Sequence, residues 1–202
     1  MKSISRMKNA ISTIFVFIVV LTNFQILSAQ TSTPQKVFAT KTGQIFFNAT
    51  GGIEKIAAVN NQVDSKFVDA TGQIIFAVLV KGFKFENQLM EDHFNENYME
   101  SSKYPKADFK GYIKNIKEVN FTKEGNYPIT IEGNLTIHGT TQKVSSNGNL
   151  QIEEGKSIIS GEFSVKIKDY GIKGLYIGDK IAPEAKIKVN CIYQDRKSTR
   201  LN

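Results

Sequence analysis

With one cysteine, Cys191, in 202 residues, the chain has no means of closing an internal disulfide. Its stability has to come from a packed core. An ordered domain of about 165 residues buries about two thirds of its unfolded surface and needs no staple. Cys191 alternates with Val189 and Tyr193, which reads as a small core residue rather than a reactive thiol. Histidine is almost as scarce, with His93 and His138 the only two. Neither has a neighbouring cysteine or paired carboxylates, so the ordinary zinc ligand sets are excluded. A nucleophile elbow, a phosphate loop and a dinucleotide fingerprint are all missing. No cofactor or metal is implied, and the chain reads as a binding protein rather than an enzyme. The arrangement that would reverse this is His93 converging with a carboxylate, such as Asp92 or Glu96, inside a pocket.

Long apolar runs are also scarce. The longest clean one, Ile11 to Leu21, follows the basic start Lys2, Arg6 and Lys8 and precedes the small-residue end Leu27-Ser28-Ala29. That order is a signal peptide over residues 1–29, cleaved near Ala29, and the run is short of the ~20 residues a spanning helix needs. The mature protein is therefore expected in the periplasm or outside the cell, with no stable membrane span. Residues 195–202 lose all alternation and read as a disordered tail or a cloning scar. The formal charge of +7 shrinks accordingly. Dropping Lys2, Arg6 and Lys8 leaves +4, and dropping Arg196, Lys197 and Arg200 with Asp195 leaves +2. The folded part is nearly balanced and carries no clustered basic stripe, so nucleic acid is a poor partner.

Alternation fills the remainder. Phe109, Gly111 and Ile113 face one way, against Lys110 and Tyr112. The same pattern runs through Ile129 to Ile137, Val144 to Ile152, Ile159 to Ile167 and Ala185 to Tyr193. Five segments with one apolar and one solvated face are antiparallel strands. Gly43 to Thr50, Glu54 to Val59 and Gln62 to Asp69 fit the scheme with less contrast, with Asn60-Asn61 read as a turn. Gln73 to Phe83 is apolar on both faces and requires a cover. The one segment of helical period, about Asn87 to Asn97, is the expected cover. Short connections at Thr71-Gly72, His138-Gly139 and Glu154-Gly155 complete a single all-β domain over residues 36–194.

Gly111, Gly133, Gly148 and Gly161 fall on the inward parity of successive strands. Glycine inside a strand packs nothing, so either the strands bend there or the barrel keeps free volume beside Phe109, Leu135, Leu150 and Phe163. A barrel of about eight strands encloses room for one slender ligand. The candidate wall residues are Phe76, Val78, Phe94, Phe109, Ile131, Leu135, Leu150, Phe163 and Val165. His93, Tyr98 and Lys143 are the candidates for meeting a polar head group. The rival reading is a solid barrel that binds a protein partner on its surface. A homodimer is left open.

Two runs carry a resemblance. His93-Phe94-Asn95-Glu96-Asn97-Tyr98 through Phe109-Lys110-Gly111, and Gly133-Asn134-Leu135-Thr136-Ile137-His138-Gly139-Thr140 through Val144, resemble the signature of the YceI-like family. The similarity extends loosely from Thr40 to Tyr193 and is weakest over Lys168 to Leu175. It implies an eight-stranded, lipocalin-like antiparallel barrel with one short helix. It also implies a long-chain isoprenoid or similar lipid in the interior, and no catalytic residues.

Overall fold

The computed structural model describes residues 35–194. The signal peptide expected over residues 1–29 and the tail expected over residues 195–202 lie outside the described residues. The period-two pattern becomes strands β1 (Val37–Thr50), β2 (Ala57–Val68), β3 (Gln73–Leu79), β4 (Lys84–Phe85), β5 (Lys106–Ile113), β6 (Gly125–Ile137), β7 (Thr140–Glu153), β8 (Lys156–Lys166) and β9 (Ile181–Gln194). Helix α1 (Gln88–His93) and a π-turn (Phe94–Tyr98) stand between β4 and β5.

Every pairing between these strands is antiparallel. The sheet runs β1-β9-β8-β7-β6-β5-β3-β2, and β1 pairs with β2 as well, so the expected eight-stranded barrel closes. Closure leaves no free edge along the ring. The two-residue β4 pairs with the start of β2. The β6–β7 hairpin turns in two residues, His138 at φ 51 and Gly139 at φ 74, the doubly left-handed geometry that matches the twist of its strands.

Two expectations of the sequence fail, each for a local reason. Asn60-Asn61 is not a turn, and β2 runs straight through it. Between the pairs Gly43↔Val63 and Ile45↔Asn60, two steps along β1 oppose three along β2, which is a bulge. The fully buried Asn60 satisfies itself there: its Nδ2 donates to the Leu79 carbonyl at 2.9 Å, and its Oδ1 accepts from Gln62 N at 2.9 Å. The same bond marks where β3 ends and a 3₁₀ turn (Val80–Gly82) carries the chain away from the ring.

The second failure concerns the cover. Ile75 and Leu79, on the outer face of β3, remain exposed at 38% and 49%. Helix α1 does not lie over them. Asn87 caps it, its Oδ1 accepting from Leu89 N at 2.8 Å. Glu91 then ties it to β4, taking Lys84 Nζ at 2.6 Å and Phe85 N at 3.3 Å. The helix therefore sits across one end of the barrel.

The other end is sealed. Phe38 and Phe67 stack at 4.5 Å, Phe121 joins both, and Tyr193 meets Phe67 edge-on at 4.9 Å. The Tyr193 hydroxyl donates to Ser65 Oγ at 2.6 Å, and Ser65 passes its own proton to the Ile75 carbonyl at 3.0 Å. Leu150, Ile74 and Ile113 fill the space beneath them.

Candidate functional site

The open half of the barrel holds two adjoining chambers. The inner one has a volume of about 170 Å³. Its walls come from the inward parity of seven strands: Ile45 and Phe47 on β1, Phe76 and Val78 on β3, and Ala107 and Phe109 on β5. Ile131 and Leu135 on β6, Val144 on β7, Phe163 and Val165 on β8, and Ile187 and Val189 on β9 complete it. Ser146 is the one polar side chain at an inward position, and its hydroxyl is spent on strand carbonyls, Asn147 O at 3.1 Å and Glu162 O at 3.2 Å. A cavity this apolar offers water too few partners to hold it.

The outer chamber, about 300 Å³, opens at the end that α1 spans. Phe47, Phe94, Met99, Ile167 and Ile172 border both chambers. Phe94 is the centre of this partition, with Phe47 at 5.7 Å, Phe83 at 5.8 Å and Phe85 at 5.0 Å. The outer chamber adds polar groups that the inner one lacks: His93, Tyr98, Asn87, Glu54, Tyr176 and Lys180. Burial, with Tyr176 nearby, pushes the Tyr98 hydroxyl above the ordinary phenol value, so it stays protonated and able to donate.

Eight of the nine expected wall residues border the inner chamber: Phe76, Val78, Phe94, Phe109, Ile131, Leu135, Phe163 and Val165. Leu150 lies elsewhere, fully buried at the sealed end, where the barrel has no space left. Of the head-group candidates, His93 and Tyr98 border the outer chamber and Lys143 borders neither. The reason is parity: with Val144 pointing in, Lys143 must point out. Ile45 and Phe47 were missed although they alternate with the exposed Phe46. Tyr176 and Lys180 belong to a loop with no periodicity to read.

The inward glycines do not all leave volume. Gly111 pairs with Gly133 across β5 and β6, and the tip of the Phe109 ring covers the pair. A Cβ at either glycine would stand 2.6 Å from Phe109 Cζ, and 2.2 or 2.4 Å from a strand carbonyl. A Cβ at Gly148 would meet the Ser160 carbonyl at 2.4 Å. Gly161 alone borders the inner chamber, where an added Cβ would meet nothing closer than 3.4 Å. Three glycines therefore allow close backbone approach, and one contributes space.

Asp92 and Glu96 are exposed, and neither borders a chamber. Neither converges with His93, and the carboxylate that borders the outer chamber with it is Glu54. Among the described residues no cluster of metal-ligating side chains occurs, and no helix is long and apolar enough to cross a membrane. His138 lies in the β6–β7 turn, its Nε2 at 2.7 Å from Glu100 Oε2 and its ring against Tyr104.

Known proteins share this architecture. BcnA of Burkholderia cenocepacia superposes with a TM-score of 0.63 at 16% identity, over 74% of this chain and 95% of its own. A polyisoprenoid-binding domain from Saccharophagus degradans, implicated in plant cell wall breakdown, superposes with a TM-score of 0.68 at 10% identity, over 80% of this chain and 99% of its own. Identities this low establish the fold alone. No curated protein matches the chain. The YceI-like domain, as a family model, matches residues 23–192, which takes in every strand of the ring but for the last two residues of β9. A barrel closed by β1 and β2, two motif runs flanking its open end and a match across nearly the whole domain lead to one assignment: this chain belongs to the YceI-like family.

Proposed function

We propose that the protein binds the tail of a long-chain amphiphile, of isoprenoid type, in the inner chamber and its head group in the outer one, and so carries or sequesters that lipid without chemical change. One observation carries the reading: an almost wholly apolar slot opens through a single aromatic partition into a chamber that has polar groups. Burying a tail gains about 0.8 kcal/mol for each methylene-sized unit, so affinity accrues without specific hydrogen bonds. The inner volume of about 170 Å³ is on the scale of an apolar cavity that stays dry and takes up one small ring. A longer tail therefore continues into the outer chamber, with Phe94 and Met99 turning aside. His93, Tyr98 and Lys180 stand where a head group would rest. The Saccharophagus degradans relative, named for polyisoprenoid binding, supports the ligand class.

The hollow open half supports the slot reading over a solid barrel that binds a protein partner on its surface. Native mass spectrometry of mildly purified protein, followed by lipid extraction, tests the proposal. A lipid adduct with an isoprenoid tail is expected. Protein that always emerges ligand-free, even after incubation with isoprenoid alcohols, would overturn it.

A further inference from the structure

The rim of the outer chamber exposes more apolar surface than a water-facing opening calls for. Three separate segments frame it: the β1–β2 connection, α1, and the loop Gly171–Lys180. Each turns a large apolar side chain to solvent, with Ile53 at 107% exposure, Leu89 at 61% and Leu175 at 94%. Tyr176, beside Leu175, is 49% exposed. Single exposed residues of this kind are ordinary on any protein surface, but here four gather around one opening.

The loop carrying two of them is held in place. Gly174 lies so close over the Tyr98 ring that a Cβ there would stand 2.2 Å from Cε1. The Tyr176 carbonyl accepts from Ile181 N at 2.9 Å and Asp179 N at 3.2 Å, and the Lys180 carbonyl accepts from Gly51 N at 3.0 Å. Leu175 is presented at a fixed tip.

Charge divides around the same opening. The stretch Lys166 to Lys188, which contains the loop, has six lysines, all exposed, against Asp169, Asp179 and Glu184. The facing stretch, Lys84 to Glu100, has one lysine against five acids. Lys180 Nζ lies 5.0 Å from the centre of the Tyr176 ring, an ammonium set beside an apolar face as at a membrane interface. The side of the mouth that carries Leu175 and Tyr176 is therefore basic, and the α1 side, which carries Leu89, is acidic.

We propose that the protein docks by this basic side on a bilayer surface bearing anionic head groups, with Leu175 in the apolar layer and Lys173 and its neighbours on the head groups. The inference builds on the lipid-slot reading in one respect: a tail leaving the bilayer would enter the slot through the docked opening. Apolar insertion together with basic contacts is the combination that holds peripheral proteins on membranes.

Flotation with vesicles tests the docking. The mature chain, beginning at Gln30, would be mixed with vesicles of phosphatidylcholine and phosphatidylglycerol at 3:1, and with phosphatidylcholine alone. Preference for the anionic vesicles is expected, weakening with salt. Leu175→Asp should reduce the apparent affinity at least about tenfold, the loss of one inserted leucine. Lys173→Glu should reduce it about fivefold or more. Uptake of a fluorescent isoprenoid alcohol in vesicle-free solution should be unchanged in both variants, because neither residue borders a chamber. Absence of flotation, or flotation indifferent to Leu175→Asp, would overturn the docking. Flotation that follows Leu175 while the alcohol never binds would uphold the docking and remove the slot reading.

Discussion

At the sealed end of the barrel Phe38 and Phe67 stack at 4.5 Å with their rings 3° apart, whereas at the open end Phe47, Phe83 and Phe85 surround Phe94 at 5.0 to 5.8 Å with rings tilted by 50° or more. Both ends are aromatic, but Phe38 and Phe67 stand on ring strands, whereas Phe83, Phe85 and Phe94 come from the excursion between β3 and β5. The sealed end uses its rings to exclude space, finishing with a buried hydrogen-bond chain from Tyr193 through Ser65 to the Ile75 carbonyl. The open end leaves Phe47, Phe85 and Phe94 only partly buried, around a hollow. A single small barrel thus keeps its stability at one end and its capacity at the other.

Substitutions can break that division, and the largest effect is expected at the sealed end. Phe67→Ala should destabilise the fold by about 3 to 5 kcal/mol, because a fully buried ring leaves a cavity that its stacked neighbours cannot fill. Urea denaturation would measure this, while lipid uptake per folded molecule should be unchanged. Loss of uptake with full stability would place the slot at the wrong end.

Cys191 gives the next largest effect. Burial pushes its thiol from the ordinary value of 9.0 up to about 11. A folded value above the unfolded one means that the unfolded chain gives up this proton first as pH rises. The stability that Cys191 contributes is therefore full below about pH 9 and is lost, by about 2 to 3 kcal/mol, as pH approaches 11. Cys191→Ala should remove that part of the alkaline fall. The native thiol should resist a disulfide reagent at pH 8 and react fully after unfolding.

The glycines sharpen the contrast further. Gly111→Ala should destabilise by about 1 to 3 kcal/mol, since its Cβ meets both a strand carbonyl and the Phe109 ring. Gly161→Leu should leave denaturation within about 1 kcal/mol of the parent. It should nevertheless cut uptake of an isoprenoid alcohol at least about tenfold, by filling the inner chamber. Equal stability costs at the two positions would erase the distinction between glycines that close and glycines that leave room. The smallest effect belongs to Tyr170, buried with no partner for its hydroxyl. Tyr170→Phe should be neutral or stabilising by up to about 1 kcal/mol in thermal unfolding.

Much of this was readable in the sequence because alternation is enforced by the pleat. Five strands came out with the correct inward set, and eight of nine expected wall residues border the inner chamber. Leu150 shares the parity but not the depth, and period two carries no information about position along the barrel axis. The paired asparagines at 60 and 61 look like a turn because their side chains usually bond local backbone. In the structure Asn60 makes such bonds inside a strand, at a bulge. The inward glycines read as bends or as free volume, and the period could not tell that three of them let backbones approach closely or that Phe109 would cover two. The mouth was least legible: Gly171–Lys180 has no period, and it is positioned by distant contacts with Tyr98 and Gly51.

The most direct measurement of the division between the two ends is a crystal structure of the protein with a bound isoprenoid alcohol. The tail should lie in the inner chamber beside Gly161, ending against Phe109, with the hydroxyl near Tyr98 and the sealed end unchanged. An inner chamber closed by its own side chains, with the ligand found on the outer face of β3 or not at all, would contradict the account.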